Sequence, residues 1–158
     1  YRHDFALVTG TKVATTTTMN VDGKKLEAGA FTPLGFSAQS RAEGPAVLAG
    51  YGIVDAAAGL DDYAGKNVKD RVVVVRRFAP ETPTTTDPAS KRRLGDLRRK
   101  AFLARERGAK ALVVVDWPLP PSPAPPEWKM PDEAALPALG PEGAGDAGLP
   151  VVVVRRTA

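Results

Sequence analysis

The sequence predicts a mixed α/β (α+β) domain, and three observations carry that prediction. Valine-rich runs of strand length stand at residues 72–75, 111–115 and 151–154. Between the first two lies a segment with a helix start, an apolar helical period and a helix stop, over residues 87–108. Strand, helix, strand in that order makes a β-α-β unit with parallel strands and a right-handed crossover. Third, glycine and proline number 15 each in 158 residues, so much of the remainder is turn and loop. The length fits one domain. It divides into a β-rich lead-in (1–45), core strands and helix (46–115), a Pro/Gly-rich loop (116–148) and a closing strand (149–158).

Taken in order, Phe5-Ala6-Leu7-Val8 is a candidate strand, and residues 12–19, with Thr15 to Thr18 in a row, read as an exposed or edge strand. Asp22-Gly23 supplies the positive-φ pair of a hairpin turn before Lys24-Lys25-Leu26. Pro33 keeps residues 31–37 out of a central strand. Ala46-Val47-Leu48-Ala49 and Val72-Val73-Val74-Val75 form a buried two-strand frame around a glycine-rich loop. Asp87 is an N-cap with Pro88 at the first helical position, and Gly108 is a left-handed stop. Leu94, Leu97, Ala101 and Ala104 give this single helix its apolar face. Residues 117–131 hold seven prolines and form an extended surface loop.

Composition excludes several functions. The chain has no cysteine, so disulfides, thiolate metal sites and a cysteine nucleophile are excluded. Its one histidine, His3, cannot by itself make a catalytic zinc site or a serine-type triad. No run reaches the about 20 apolar residues of a membrane span. The chain opens on Tyr1 without a signal-peptide pattern, and so reads as a fragment or a processed product. A net charge of +4 is the ordinary charge of a well-solvated domain.

Three features invite a chemical reading. Gly50-Tyr51-Gly52 lacks the third glycine of a dinucleotide fingerprint, because Asp55 stands there, so the glycines serve tight turns. Asp61-Asp62-Tyr63 lacks the ligand spacing of a calcium loop; the aspartates cap backbone amides while Tyr63 packs on the core. The helix is basic, with Lys91, Arg92, Arg93, Arg98, Arg99, Lys100, Arg105 and Arg107. Without aromatic stacking residues or a reading motif the favoured reading is a solvated outer face, with a basic nucleic-acid binder as the lesser alternative.

The ordered set of motifs resembles the protease-associated (PA) domain inserted in secreted dizinc aminopeptidases. The residues that carry the resemblance are Ala49-Gly50-Tyr51-Gly52-Ile53, Leu60-Asp61-Asp62-Tyr63-Ala64-Gly65 and Val68-Lys69-Asp70-Arg71-Val72-Val73-Val74-Val75. Arg107-Gly108-Ala109-Lys110-Ala111-Leu112-Val113 resembles the family's helix-to-strand step, Leu149-Pro150-Val151-Val152 its closing strand, and residues 31–37 its lead-in.

The resemblance implies a swivelling β/β/α sandwich, a mixed open β-barrel with one main outer helix. It implies a non-catalytic lid with no cofactor of its own, the two zinc ions belonging to the peptidase domain. The implied partners are that catalytic domain, in the same polypeptide, and a peptide or protein substrate, in a secreted or periplasmic setting. A free-standing peptide- or protein-binding module is the second implied role. In the family, the loop after the Gly-Tyr-Gly strand faces the active-site cleft. Here it is residues 53–63, with Tyr51, Ile53, Val54, Asp55, Asp61, Asp62 and Tyr63 as the candidate partner-facing residues and Ala56-Ala57-Ala58 as an apolar rim.

Overall fold

The computed structural model describes residues 13, 14, 16–139 and 146–157. Its strands are β1 (Asn20–Val21), β2 (Lys24–Lys25), β3 (Phe31–Pro33), β4 (Ala46–Leu48), β5 (Val54–Asp55), β6 (Leu60–Asp61), β7 (Val72–Arg76), β8 (Ala111–Val115) and β9 (Val151–Val154). The helices are α1 (Pro88–Gly95) and α2 (Leu97–Glu106). Five strands form one mixed sheet in the order β3-β9-β8-β7-β4. β4, β7, β8 and β9 are parallel, and β3 runs antiparallel to β9. The pairs β1–β2 and β5–β6 are separate hairpins. This is an α+β sandwich without a closed barrel among the described residues.

The valine runs become β7, β8 and β9 because a branched side chain suits a strand enclosed on its faces. Alternate residues Val73, Val75, Leu112, Val114, Val151 and Val153 are all within 1% of full burial and form one core with Ala101 and Ala104 of α2. The small alanines let the helix lie close on the sheet. A second, smaller cluster joins Tyr51 and Ile53 to Leu94 of α1. Because β4, β7 and β8 are parallel, the chain leaves all of them at one edge of the sheet. The segments after Leu48, Arg76 and Val115 therefore gather there, the edge where open α/β sheets bind ligands.

Several expectations hold. Asp22 and Gly23 turn the β1–β2 hairpin at φ +48° and +78°. Pro33 sits on the edge strand β3. Asp87 caps α1, its carboxylate accepting from the amides of Ala89 and Ser90. The segment of residues 116–139 carries no helix or strand.

Others need correcting. The single helix is two: α1 ends at Gly95, and Asp96 turns extended at ψ 119° to cap α2 through the Arg99 amide. A glycine followed by a good N-cap residue stops one helix and starts another. The threonine run is not a strand where it is described; Thr17 N–H donates to Ala14 C=O in a turn, which leaves no sheet partner. β4 is an edge strand with Ala46 and Leu48 exposed, not half of a buried frame. The candidate strand of residues 5–8 lies outside the described residues.

Candidate functional site

The loop that follows β4 turns twice through left-handed backbone, at Gly50 (φ +47°) and Gly52 (φ +68°). Both glycines are required by space as well as by φ. A Cβ at Gly50 would stand 2.2 Å from Asp62 Oδ1, and one at Gly52 would stand 2.8 Å from Val75 Cγ1. The turn exposes two amide donors to one carboxylate. Tyr51 N–H and Ile53 N–H both donate to Asp62 Oδ2, each at 2.9 Å. Asp61 Oδ1 accepts from Tyr63 N–H at 3.0 Å. The aspartate pair is thus a capping device for backbone amides, and Tyr63 packs in the core.

Above this turn stands the β5–β6 hairpin, with Val54 opposite Asp61 and Asp55 opposite Leu60. It is tied to the helices by two arginines. Arg93 of α1 makes an ion pair with Asp55, and Arg99 of α2 donates to Val54 C=O at 3.4 Å. The Arg93 hydrogen bond, with that from the Ala58 amide, holds the Asp55 carboxyl below the usual carboxylate range.

The candidate residues separate into two groups. Tyr51, Ile53, Asp55 and Tyr63 are buried and act as anchors. Tyr51 also accepts at its hydroxyl from Leu119 N–H at 2.9 Å, which pins the start of the proline-rich segment. Val54 and Asp62 are half-buried. Asp61, Ala56, Ala57 and Gly59 are exposed, so the free surface of the loop is its hairpin tip. Tyr63 Oη is buried without a hydrogen-bond partner, and burial pushes its phenol up to about 12.

The basic face is exposed as expected at Lys91, Arg92, Arg93, Arg98, Arg99 and Arg105, while Arg107 is half-buried and Lys100 buried. Arg98 lies 4.5 Å over the Phe36 ring and Arg107 4.7 Å over Tyr63. Arg105 donates to Ala147 C=O at 3.2 Å. Lys100 is 1% exposed, the largest of the fully buried side chains. Its Nζ donates to Arg76 C=O at 2.9 Å and to Phe78 C=O. Burial lowers its ammonium to about 7 against the pull of Asp62 and Asp96, which favour the charged form. A signal for this lies in the sequence: residue 100 falls inside the stripe made by Leu97, Ala101 and Ala104.

Phe78 (49% exposed), Trp117 (51%) and Leu119 (46%) lie in the segments leaving β7 and β8. Among the described residues no three His, Cys, Asp or Glu side chains are placed to hold one metal ion. Nor is any helix there long and apolar enough to cross a membrane.

No family model matches the chain, and no curated protein matches it in sequence. Among solved structures it is similar to an aminopeptidase from Aneurinibacillus sp. strain AM-1, with a TM-score of 0.51 and 18% identity. The match covers 95% of this chain and 26% of that one, so the chain spans about a quarter of the aminopeptidase's length. At that identity the likeness is one of fold.

Proposed function

We propose that the chain is a protease-associated domain of a secreted zinc aminopeptidase, a non-catalytic lid that shapes access of peptides to the catalytic domain of the same polypeptide. The observation that carries this reading is the fold likeness to an aminopeptidase over 95% of this chain and only a quarter of the other. A domain of this size inside a longer peptidase is the arrangement that the likeness fits. The order of motifs from Gly50-Tyr51-Gly52 to Leu149-Pro150 supports it independently. In this reading the chain binds no zinc, and the two zinc ions belong to the catalytic domain.

The working part is the β5–β6 hairpin. Its base is fixed by Asp62 and Arg93, and its tip of small residues faces solvent. A tip on a rigid base narrows a cleft by steric exclusion and needs no catalytic group of its own. Deleting or enlarging residues 56–59 in the longer protein is expected to change the preferred peptide length and leave zinc content unchanged. Peptide-series kinetics with metal analysis read both. Loss of zinc while the domain still folds would sink the lid reading. A binding module acting alone is the second reading, and peptide capture by the isolated chain with no peptidase domain encoded beside it would favour it.

A further inference from the structure

We propose that Lys100 is a positioning residue, a clamp that holds the exit of β7 in a left-handed turn and so presents the Phe78 ring to solvent. Three independent observations meet at this point. Phe78 has φ +63°, a conformation that bulky residues rarely adopt. Its ring is 49% exposed, so core packing does not explain the strain. Its carbonyl, with that of Arg76, accepts from one buried ammonium on α2.

The geometry connects them. In an extended strand, carbonyls two residues apart point the same way but stand about 6.6 Å from each other. One ammonium reaching about 3 Å to each acceptor spans less than about 6 Å. A straight continuation of β7 would therefore leave one of the two bonds unmade. The left-handed residue folds the Phe78 carbonyl back to meet the donor that already holds Arg76. An ammonium at 1% exposure needs both acceptors, because an unpaired buried charge is costly. Lys100 thus exchanges its own solvation for a strained backbone at residue 78.

The surroundings favour that position of the amine. Lys100 Nζ lies 5.8 Å from the centre of the Tyr51 ring, and Arg76 lies over the same ring at 5.9 Å. Asp62 from the loop and Asp96 from the N-cap of α2 supply the attracting charge. The C-terminal end of α1 lies against the turn: a Cβ at Gly95 would stand in ordinary contact with the Phe78 backbone, at 3.5 Å. Arg77 lies 4.9 Å over the Phe78 ring and fixes its outer side. Arg77 is itself held by Ala135 C=O at 2.8 Å.

The test separates a clamp from simple packing. Phe78→Gly and Phe78→Ala both delete the ring; they differ in how readily the backbone takes a positive φ and in unfolded-chain entropy, and the second difference is the same with and without Lys100. In the parent chain, the glycine variant is expected to melt about 2–4 °C above the alanine variant. In a Lys100→Met background the turn relaxes, and that order should vanish or reverse. An undiminished glycine advantage without Lys100 would overturn the proposal. The unsubstituted protein gives a second arm should Lys100→Met not fold. At pH 6, where the amine is charged, NMR coupling across the hydrogen bond from Lys100 Nζ to the Phe78 carbonyl carbon is expected. A Lys100 ammonium that at pH 6 couples to neither carbonyl would overturn the clamp.

Discussion

Two turns at the same edge of the sheet are tied down by opposite charges, in opposite ways. After β4, the Asp62 carboxylate gathers two amides, those of Tyr51 and Ile53. After β7, the Lys100 ammonium gathers two carbonyls, those of Arg76 and Phe78. The first turn puts glycines at its positive-φ positions and is relaxed; the second puts phenylalanine there and is strained. The first carboxylate is half-buried, whereas the ammonium is fully buried and shifted. One turn is thus matched to its tie by local sequence. The other is held by tertiary contact against local preference, and holds out an aromatic ring.

The largest break in the comparison should come at Gly50. Gly50→Ala adds a Cβ 2.2 Å from Asp62 Oδ1 at a left-handed residue, so it strains the turn and displaces its cap together. A loss of about 3 kcal/mol is expected in urea unfolding. Asp62→Ala removes the acceptor but not the glycines, and should cost about 2 kcal/mol. If the two variants lost equal stability, the turn's cost at Gly50 would lie wholly in the cap.

The smallest effect at neutral pH is that of Lys100, and pH brings it out. The ordinary ammonium titrates at 10.5, and burial lowers it to about 7 in the folded protein. Between those values the unfolded chain binds the proton and the folded chain does not, so stability rises with pH across that window. Below about 7 the amine is charged in both states, and this rise is absent. Lys100→Met should flatten the rise relative to the parent, in denaturant unfolding at pH 6.5, 8 and 9.5. Parallel curves for the two proteins would refute the buried titration. Asp62 and Asp96 face the amine and oppose the shift, so neutralising either should deepen it.

Much of the fold is legible in the sequence. The valine runs become the central strands, Asp87-Pro88 opens a helix, and Asp22-Gly23 turns a hairpin. These are local choices that agree with the global fold. What escapes is set by neighbours far along the chain. Leu48 is exposed on β4, and β4 lies at the edge of the sheet, neither of which a window of sequence reveals. The helical arginines are solvated as their sequence suggests, but it does not show that Arg93 and Arg99 also reach 38 and 45 residues back to the hairpin. At the candidate site, the aspartate caps are readable from turn chemistry, but the division of residues 51–63 into buried anchors and an exposed tip is not. Lys100 is the sharpest miss, since its place in the apolar stripe is visible and its two carbonyl acceptors are not.

The closed base of the β5–β6 hairpin bears on how such a chain can change over time. Asp62 N–H donates to Ile53 C=O at 2.9 Å, so the two ends of the loop meet below the tip. Chain added between residues 56 and 59 lengthens a loop whose closure is already secured, and each doubling of such a loop costs only about 0.6 kcal/mol. Length there is nearly neutral for folding, while every added residue extends into solvent. Selection could therefore redraw the outline of this edge by insertion and deletion alone, leaving the sheet, the helices and both charged ties untouched.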